Sequence, residues 1–345
     1  MADLIKNNSD FVFIYEAINC NPNGDPDMEN KPRMDYDTNT NLVTDVRLKR
    51  YIRDYLKTIG KDIFVDLEDE QKVSPDTRLK NIITNITADD INKLLADYTK
   101  EKDALLSILN NKGSKKLIDI LQTEKAKDQV LKDLNIPDLE IKDLNILLLQ
   151  QFVKEEMIDV RMFGSAFAIK GFTKAYTGPI QLTWGYSLNK VKLIDTSAIV
   201  TIMNDDNSTF GKDYRLYYSL IAFHGTINKA ASVSTGLTEE DKETFRNAIW
   251  NSISATPTRS KLNQYPKLYV EFEYNNGYAN GQFGDLRNFI KCTPKNGIDN
   301  DAVRKFDDLQ LDLSDLINLI KNNKGDDKVI NNVIVKSSPD INLNI

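Results

Sequence analysis

The hydrophobic pattern of the chain predicts a sheet with helices packed against it. Runs of β-branched and aromatic residues, or strict alternation of apolar and polar residues, are typical of strands. The clearest alternation places Ile180, Leu182, Trp184, Tyr186 and Leu188 on one face of a strand. Segments with one or the other of these patterns span residues 11–15, 158–164, 180–188, 214–225 and 268–274.

Two helices with defined starts lie between the strands. Thr44 is a candidate N-cap, and Thr238 with Asp241 has the spacing of a capping box. Gly60 is the expected end of the first helix. The residues expected to face the core are Leu48, Ile52, Tyr55, Leu56 and Ile59 in the first helix and Phe245, Ile249 and Ile253 in the second.

With an insertion set aside, the elements follow the order strand, helix, strand, strand, helix, strand. This order is typical of the ferredoxin-like fold of RNA-recognition domains and predicts the α+β class. The insertion, residues 61–153, has helical spacing of Leu and Ile, and residues 299–345 contain a helical stretch near Leu309–Ile320 before a polar tail. We therefore predict a main domain of residues 1–60 and 154–298. Many activities use this fold, so the fold class alone does not assign a function.

The net charge is −6, from 45 Lys and Arg against 51 Asp and Glu, whereas many nucleic-acid-binding proteins are basic. The charge is unevenly distributed, because residues 44–57 carry five basic side chains and two acidic ones. Arg47, Arg50, Arg53 and Lys57 fall on a different side of the first helix from its apolar residues. Such a face beside a loop rich in Asn and Gly suits a phosphate backbone, although a basic helix face is more often only solvated.

The cysteine content and the absence of long apolar runs indicate a cytoplasmic protein with no membrane partner. Cys20 and Cys292 are the only cysteines, which argues for a reducing compartment. No apolar run approaches the roughly 18 residues of a membrane span, and the first residues lack the pattern of a signal peptide.

Few residues suggest catalysis. His224 is the only histidine, which excludes metal sites built on two histidines, and no phosphate-binding glycine loop is present. The loop after the first strand is acidic, and a solvated turn competes there with a cation site or an acid/base pair. Its carboxylates are Asp25, Asp27, Glu29, Asp35 and Asp37. We predict no catalytic residue, no metal and no cofactor.

Several ordered motifs resemble one family of CRISPR-associated proteins. They are NPNGDPD at residues 21–27, NKPRMD at 30–35, LVTDVRLKRYIR at 42–53, DVRMFG at 159–164, TGPIQLTWGYSL at 177–188 and HG at 224–225. In this order they resemble the Csd and Csh proteins, the Cas7-type backbone subunits of type I-C and type I-B Cascade complexes. The length and the acidic insertion favour the I-B group.

The resemblance implies a modified RNA-recognition palm, with residues 61–153 as helical fingers and a β-hairpin thumb at about residues 195–215. Copies of such a subunit polymerise along the guide RNA (crRNA) and present it for pairing with target DNA, without catalysis. The other expected partners are the Cascade subunits: the 5′-end capping subunit, the large and small subunits and the repeat-processing endonuclease.

The resemblance also implies roles for individual residues. The RNA-binding residues would be Asn21, Asn23, Arg33, Arg47, Lys49, Arg50, Arg53, Arg161, Phe163 and Gly164. Ile202, Met203 or Phe210 would form an apolar wedge at the thumb, an expectation from position and residue type.

Two alternatives remain. One is a metal-dependent ribonuclease like the type III backbone proteins, with Asp25 or Asp27 cutting target RNA. The other is a single-stranded RNA-binding module that acts alone. Divalent-metal-dependent cleavage would distinguish the first, and failure to assemble with Cascade partners would distinguish the second.

Overall fold

The computed structural model describes residues 3–68, 71–72, 77, 84–122, 147–148, 151–152, 155–169, 172–195, 198–201, 209–341 and 343. The chain divides into two compact units. The sheet unit comprises Ile5–Thr58, Ile180–Lys229 and Lys242–Ile345, and the smaller unit comprises Met1–Leu4, Ile59–Pro179 and Ala230–Asp241. Over the described ranges, no helix is long and apolar enough to cross a membrane.

The strands in chain order are β1 (Ser9–Cys20), β2 (Gly24–Asp25), β3 (Lys31–Pro32), β4 (Met34–Asp35), β5 (Thr40–Val43), β6 (Leu67–Glu68), β7 (Gln71–Lys72), β8 (Gly164–Ile169), β9 (Phe172–Thr177), β10 (Ile180–Leu182), β11 (Gly185–Ser187), β12 (Ala198–Thr201), β13 (Thr209–Lys212), β14 (Leu216–Ile227), β15 (Gln264–Tyr274), β16 (Lys291–Pro294), β17 (Leu309–Asp312) and β18 (Ile330–Ser337). The helices are α1 (Asp45–Thr58), α2 (Ala88–Leu94), α3 (Thr99–Gln122, interrupted at Gly113), α4 (Ile158–Phe163), α5 (Lys229–Thr235), α6 (Glu239–Ala255) and α7 (Ser314–Asn323).

A large antiparallel sheet forms the centre of the sheet unit. Its strand order is β18, β15, β1, β14, β11, β5, β4, and β10 also pairs with β14. Strand β1 lies between β14 and β15 and pairs with both over most of its length. The prediction of a buried strand at residues 11–15 is confirmed, because all five side chains are fully buried.

Both faces of this sheet are covered. On one face, Val12 and Ile14 belong to a core cluster that includes Leu316 of α7. On the other face, the ring of Phe11 lies 5.5 Å from that of Phe245 in α6. Because both faces are buried, β1 has a continuous apolar run rather than an alternating one.

The two predicted helices are confirmed at their starts. The Thr44 hydroxyl accepts a hydrogen bond from the backbone N–H of Arg47, and Thr238 and Asp241 form the reciprocal bonds of a capping box. The predicted core residues of α6 are buried, as are Leu48, Ile52 and Leu56 of α1. Ile59 was wrongly assigned to the core. It lies beyond the end of α1 and is 46% exposed, whereas Tyr51, which the pattern did not single out, is buried.

The predicted strand at residues 158–164 is wrong. Residues 158–163 form α4, and the strand β8 begins only at Gly164. A short apolar run has the same composition in a buried helix turn and in a strand, so tertiary contacts decide which of the two forms. Here the Asp159 carboxylate accepts hydrogen bonds from the backbone N–H groups of Phe64 (2.7 Å) and Val65 (3.2 Å).

Two other segments differ in detail from the prediction. The alternating segment at 180–188 forms two short strands, β10 and β11, separated by Thr183 and Trp184. Trp184 is 50% exposed although Ile180 is fully buried, so the predicted apolar face is not buried along its whole length. The C-terminal helix begins at Ser314, after strand β17, and β18 beyond it pairs with β15 at the edge of the sheet.

A buried ionic cluster joins α6 to β15. The Lys242 Nζ, fully buried, lies 2.5 Å from Glu273 Oε1 and 3.5 Å from Glu271 Oε1. Arg246 pairs with both carboxylates at 2.8–2.9 Å. Burial alone would raise the pKa of Glu271, but hydrogen bonds from Arg246 and the charge of Lys242 lower it below its usual range.

We expect Lys242→Met to destabilise the fold by about 3 kcal/mol, because it leaves buried carboxylates with one cation fewer. The depressed pKa of Glu271 stabilises the fold at neutral pH, and this contribution is lost as the pH falls through that pKa. The variant should therefore also unfold at a higher pH on acidification. Urea unfolding at several pH values measures both effects, with the exposed Lys324→Met as the control. Equal stability of the two variants would contradict the role of the cluster.

Candidate nucleic-acid interface

Two asparagines hold the loop that follows β1. The Asn21 side chain donates a hydrogen bond to the carbonyl of Asn30 at 2.8 Å, and Asn21 is only 3% exposed. The Asn23 Oδ1 accepts hydrogen bonds from both the backbone N–H and the hydroxyl of Thr44, each at 2.9 Å. Asn23 therefore ties the loop to the N-cap of α1, and both asparagines have structural roles in the protein without RNA.

Arg33 lies in the same loop and is paired with an acidic residue. Its Nη1 lies 3.3 Å from Asp25 Oδ2, and its carbonyl accepts hydrogen bonds from the backbone of Leu42 and the side chain of Asn41. The Arg33 Nε is buried without a hydrogen-bond partner. Asp25 also accepts a hydrogen bond from the backbone N–H of Asp27. In this part of the loop, the ion pair between Arg33 and Asp25 therefore lies within a hydrogen-bonded turn.

The basic residues of α1 are partly compensated along the helix. Lys49 Nζ lies 3.0 Å from Asp45, and Arg50 Nε donates to Asp54 at 2.8 Å. Arg53 is half-buried. Arg47 differs from these, because its guanidinium stacks on the ring of Tyr51 at 3.9 Å. The basic side chains of α1 are therefore neutralised to different extents, since Lys49 and Arg50 contact carboxylates whereas Arg47 contacts an aromatic ring.

Three further cations lie near this loop and were missed from the sequence. Lys261 Nζ donates to the carbonyl of Asn21, and Arg215 Nη1 donates to the carbonyl of Asn19 at 3.1 Å. Arg259 lies 3.4 Å from Asp213, which also pairs with Arg215 at 2.7 Å. Arg259 and Lys261 belong to the turn before β15, and two cations within three residues of a turn were the signal that the sequence offered.

Lys261 and Arg47 are close enough to affect each other's charge. Burial, followed by the positive charge of Arg47, lowers the pKa of Lys261 to about 8. The Cys20 thiol beside them is buried, and burial raises its pKa to about 12, so it stays neutral. This end of β1 is consequently positive at neutral pH.

The remaining predicted site residues lie in the smaller unit. Arg161 forms a two-pronged ion pair with Asp241, with both N–O distances at 2.8 Å. Phe163 is buried, and Gly164 has a φ of +72°. A Cβ on Gly164 would lie 2.0 Å from the carbonyl oxygen of Tyr176, so this position requires glycine. These residues have clear structural roles, and their contact with RNA stays a prediction.

The segment predicted as a thumb contains the hairpin of β12 and β13. Ile202 and Met203 lie outside the described residues, and Phe210 belongs to β13, where it pairs with Val200. Just after the hairpin, Lys212 Nζ and Tyr214 Oη each lie 2.8 Å from a Glu29 carboxylate oxygen. These hydrogen bonds connect the base of the hairpin to the loop after β1. They also lower the pKa of Glu29.

His224 is a packed residue of β14. It is 8% exposed, and burial lowers its pKa, which keeps the ring neutral. Its Nδ1 faces the backbone N–H of Leu286 at 3.5 Å. In the part of the chain that the structure describes, no cluster of three or more His, Cys, Asp or Glu side chains could hold a metal ion.

Comparisons with known proteins give one family model, one similar protein and two similar structures. The family model "CRISPR-associated protein Cas7" matches residues 7–314. The "CRISPR-associated protein Cas7" of Haloferax volcanii is 28% identical over 327 residues, which cover 91% of this chain and 83% of that protein. A chain of a "CRISPR RNA-guided surveillance complex, pre-nicking" is 15% identical with a TM-score of 0.44, covering 78% of this chain and 79% of that one. A second, from a "CRISPR RNA-guided surveillance complex", is 14% identical with a TM-score of 0.40, and the coverages are 78% and 77%.

The role of Asn23 as a tie to α1 leads to a stability prediction. Asn23→Ala should lower the free energy of unfolding by about 1 kcal/mol, because the Thr44 N–H and hydroxyl lose their acceptor. Asn23→Asp should retain most of the stability, since a carboxylate accepts the same bonds and is favourable at a helix N-terminus. Chemical unfolding measures both, with the exposed Asn322→Ala as the control. A loss of stability in Asn23→Asp as large as in Asn23→Ala would contradict this role.

Proposed function

Since the chain belongs to the CRISPR-associated Cas7 family, we propose that it is a guide-RNA-binding backbone subunit of a type I Cascade surveillance complex. The observation that carries the proposal is the family match over residues 7–314, which includes the loop after β1 and helix α1. The subunit polymerises along the guide and presents it to target DNA. It does so by binding and orienting RNA, without a catalytic step.

The cations at the end of β1 support a site that binds the RNA backbone rather than its bases. A scaffold for guides of many sequences must hold phosphate and sugar and leave the base edges free. Arg47, Lys261 and Arg215 supply positive charge there, and the loop 21–44 supplies backbone and amide groups beside them. The acidic net charge does not oppose this proposal, because charge at the site decides the local attraction.

The topology of the sheet supports the proposed palm. Strands β15, β1, β14 and β10 lie in the order fourth, first, third, second, with α1 and α6 as the two connecting helices of a ferredoxin-like fold. Residues 61–153 would be the fingers, and the hairpin of β12 and β13 would be the thumb. The sheet face that carries Val12 and Ile14 is covered by C-terminal residues. Bases therefore do not stack on that face as they do on the open sheet of an RNA-recognition domain.

The proposed partners follow from this role. They are the guide RNA, further copies of the chain, target DNA through the guide, and the capping, large, small and repeat-processing subunits of a type I-B or type I-C complex. The proposed location is the cytoplasm. At Asp25 the ribonuclease alternative gains no support, because that carboxylate is already engaged by Arg33 and by the backbone N–H of Asp27.

The proposal is tested first on the chain expressed alone. We expect it to purify with bound RNA as large assemblies that ribonuclease breaks down, which absorbance at 260 and 280 nm and light scattering detect. Protein that neither carries RNA nor binds an added guide together with the other Cascade subunits would overturn the proposal.

Replacing Lys49 and Arg53 together by Glu should weaken binding of unrelated RNAs to the same extent. The loss of two phosphate contacts should also reduce the slope of log affinity against log salt by about 1.4. Fluorescence anisotropy with two oligonucleotides of different sequence measures both effects. Lys321→Glu with Lys324→Glu, exposed on and just after α7, makes the same charge change elsewhere in the sheet unit. Weakening confined to one RNA sequence would contradict recognition of the backbone.

A further inference from the structure

Arg47 and Lys261 are two cations close enough for their charges to interact, and neither pairs with a carboxylate of the described residues. In the described residues neither side chain forms an ion pair, whereas Lys49, Arg50 and Arg33 each do. Lys261 donates to the carbonyl of Asn21, and the Arg47 guanidinium lies on the ring of Tyr51. Both are half-buried, so water screens their repulsion only partly. Such an arrangement costs free energy in the protein alone, and an anion between the two charges would remove that cost.

The groups around the pair do not neutralise it. The titratable and charged groups near the pair are Cys20 of β1, Tyr51 of α1, and Asp213 and Arg215 of the segment before β14. Asp213 is the one carboxylate in this set, and it pairs with Arg215 and Arg259. The thiol of Cys20 and the phenol of Tyr51 are neutral, because burial raises the pKa of each. The net charge of the pair together with this set is therefore positive.

Hydrogen-bond donors in this cluster are also left unused. The Arg47 Nε is buried without a hydrogen-bond partner. The ammonium of Lys261 has three donors, and the carbonyl of Asn21 takes one of them. Buried donors are nearly always satisfied in folded proteins, so an unsatisfied group next to unpaired cations indicates a missing acceptor.

We propose that Arg47 and Lys261 together bind one phosphodiester group of RNA, and that Lys261 couples this binding to the uptake of a proton. The inference rests on the proposed RNA-binding function and deepens it. It names Lys261, which no sequence motif singled out, as a binding residue. It also states what that residue recognises, which is a phosphate oxygen and not a base.

The coupling has a definite sign. Free Lys261, with a pKa of about 8, is mostly protonated at neutral pH and loses its charge above pH 8. A bound phosphate favours the charged form and raises that pKa, so the complex takes up a proton when it forms in mildly basic solution. Affinity for RNA should be highest below pH 8 and should fall by about fivefold from pH 7 to pH 9. Cys20, Tyr15 and Tyr51 do not titrate in this range, because burial raises the pKa of each.

The test measures binding of an oligoadenylate to the full-length chain at pH 7, 8 and 9. Adenine has no group that titrates in this range, so any pH dependence belongs to the protein. The variants are Lys261→Arg, which stays charged at all three pH values, and Lys261→Met, which is never charged. Lys321→Met, exposed on α7, is the control. Thermal unfolding of each variant checks that it is folded.

We expect Lys261→Arg to bind at pH 9 nearly as well as at pH 7, while the wild type and the control lose about fivefold. Lys261→Met should bind about tenfold more weakly than the wild type at pH 7 and only about twofold more weakly at pH 9. Wild-type binding that Lys261→Met leaves unchanged at pH 7, or a pH dependence that persists in Lys261→Arg, would overturn the inference alone. Wild-type protein that binds no RNA at any pH would overturn the proposed function and the inference with it.

Discussion

The pairing of β1 with both β14 and β15 is the interaction on which the rest of the structure depends. It places a strand from near the start of the chain at the centre of the sheet, between strands from much later segments. The side chains of β1 fill both cores, Val12 and Ile14 on one face and Phe11 on the other. Because the strand is anchored over its full length, its end at Cys20 is fixed, and the loop that follows starts from a rigid point.

The cationic cluster is a product of that fixed end. Three elements meet there: the loop after β1, the first turns of α1, and the turn before β15. Asn23 holds the loop to Thr44, and Lys261 reaches the carbonyl of Asn21. Each contact uses a backbone group or a carboxamide, so the guanidinium of Arg47 and the ammonium of Lys261 are positioned without being neutralised. Rigid placement of unneutralised charge favours binding to an anion at little cost in conformational entropy.

The sequence alone predicted the local structure correctly where its pattern is long or chemically specific. The apolar run at 11–15, the N-cap Thr44 and the capping box at Thr238 were all predicted correctly, because each depends on neighbours in the chain. Residues 158–163 were assigned to a strand because their short apolar run has no decisive periodicity. The hydrogen bond that the Asp159 carboxylate accepts from the backbone N–H of Phe64, far away in the chain, is a tertiary contact that such a run does not reveal. Lys261 was missed for a related reason. Its importance comes from Arg47, more than two hundred residues away, and no local pattern contains that proximity.

The long separation of β1 from its partners has a consequence for synthesis in the cell. About two hundred residues lie between Cys20 and the start of β14, so β1 leaves the ribosome long before either neighbouring strand exists. During that interval an aromatic, β-prone segment is without its sheet, which is the state in which nascent chains aggregate or engage chaperones. The edge strand β18 is later still. The sheet around β1 therefore forms only after β14 and β15 have been synthesised, rather than piece by piece as the polypeptide grows.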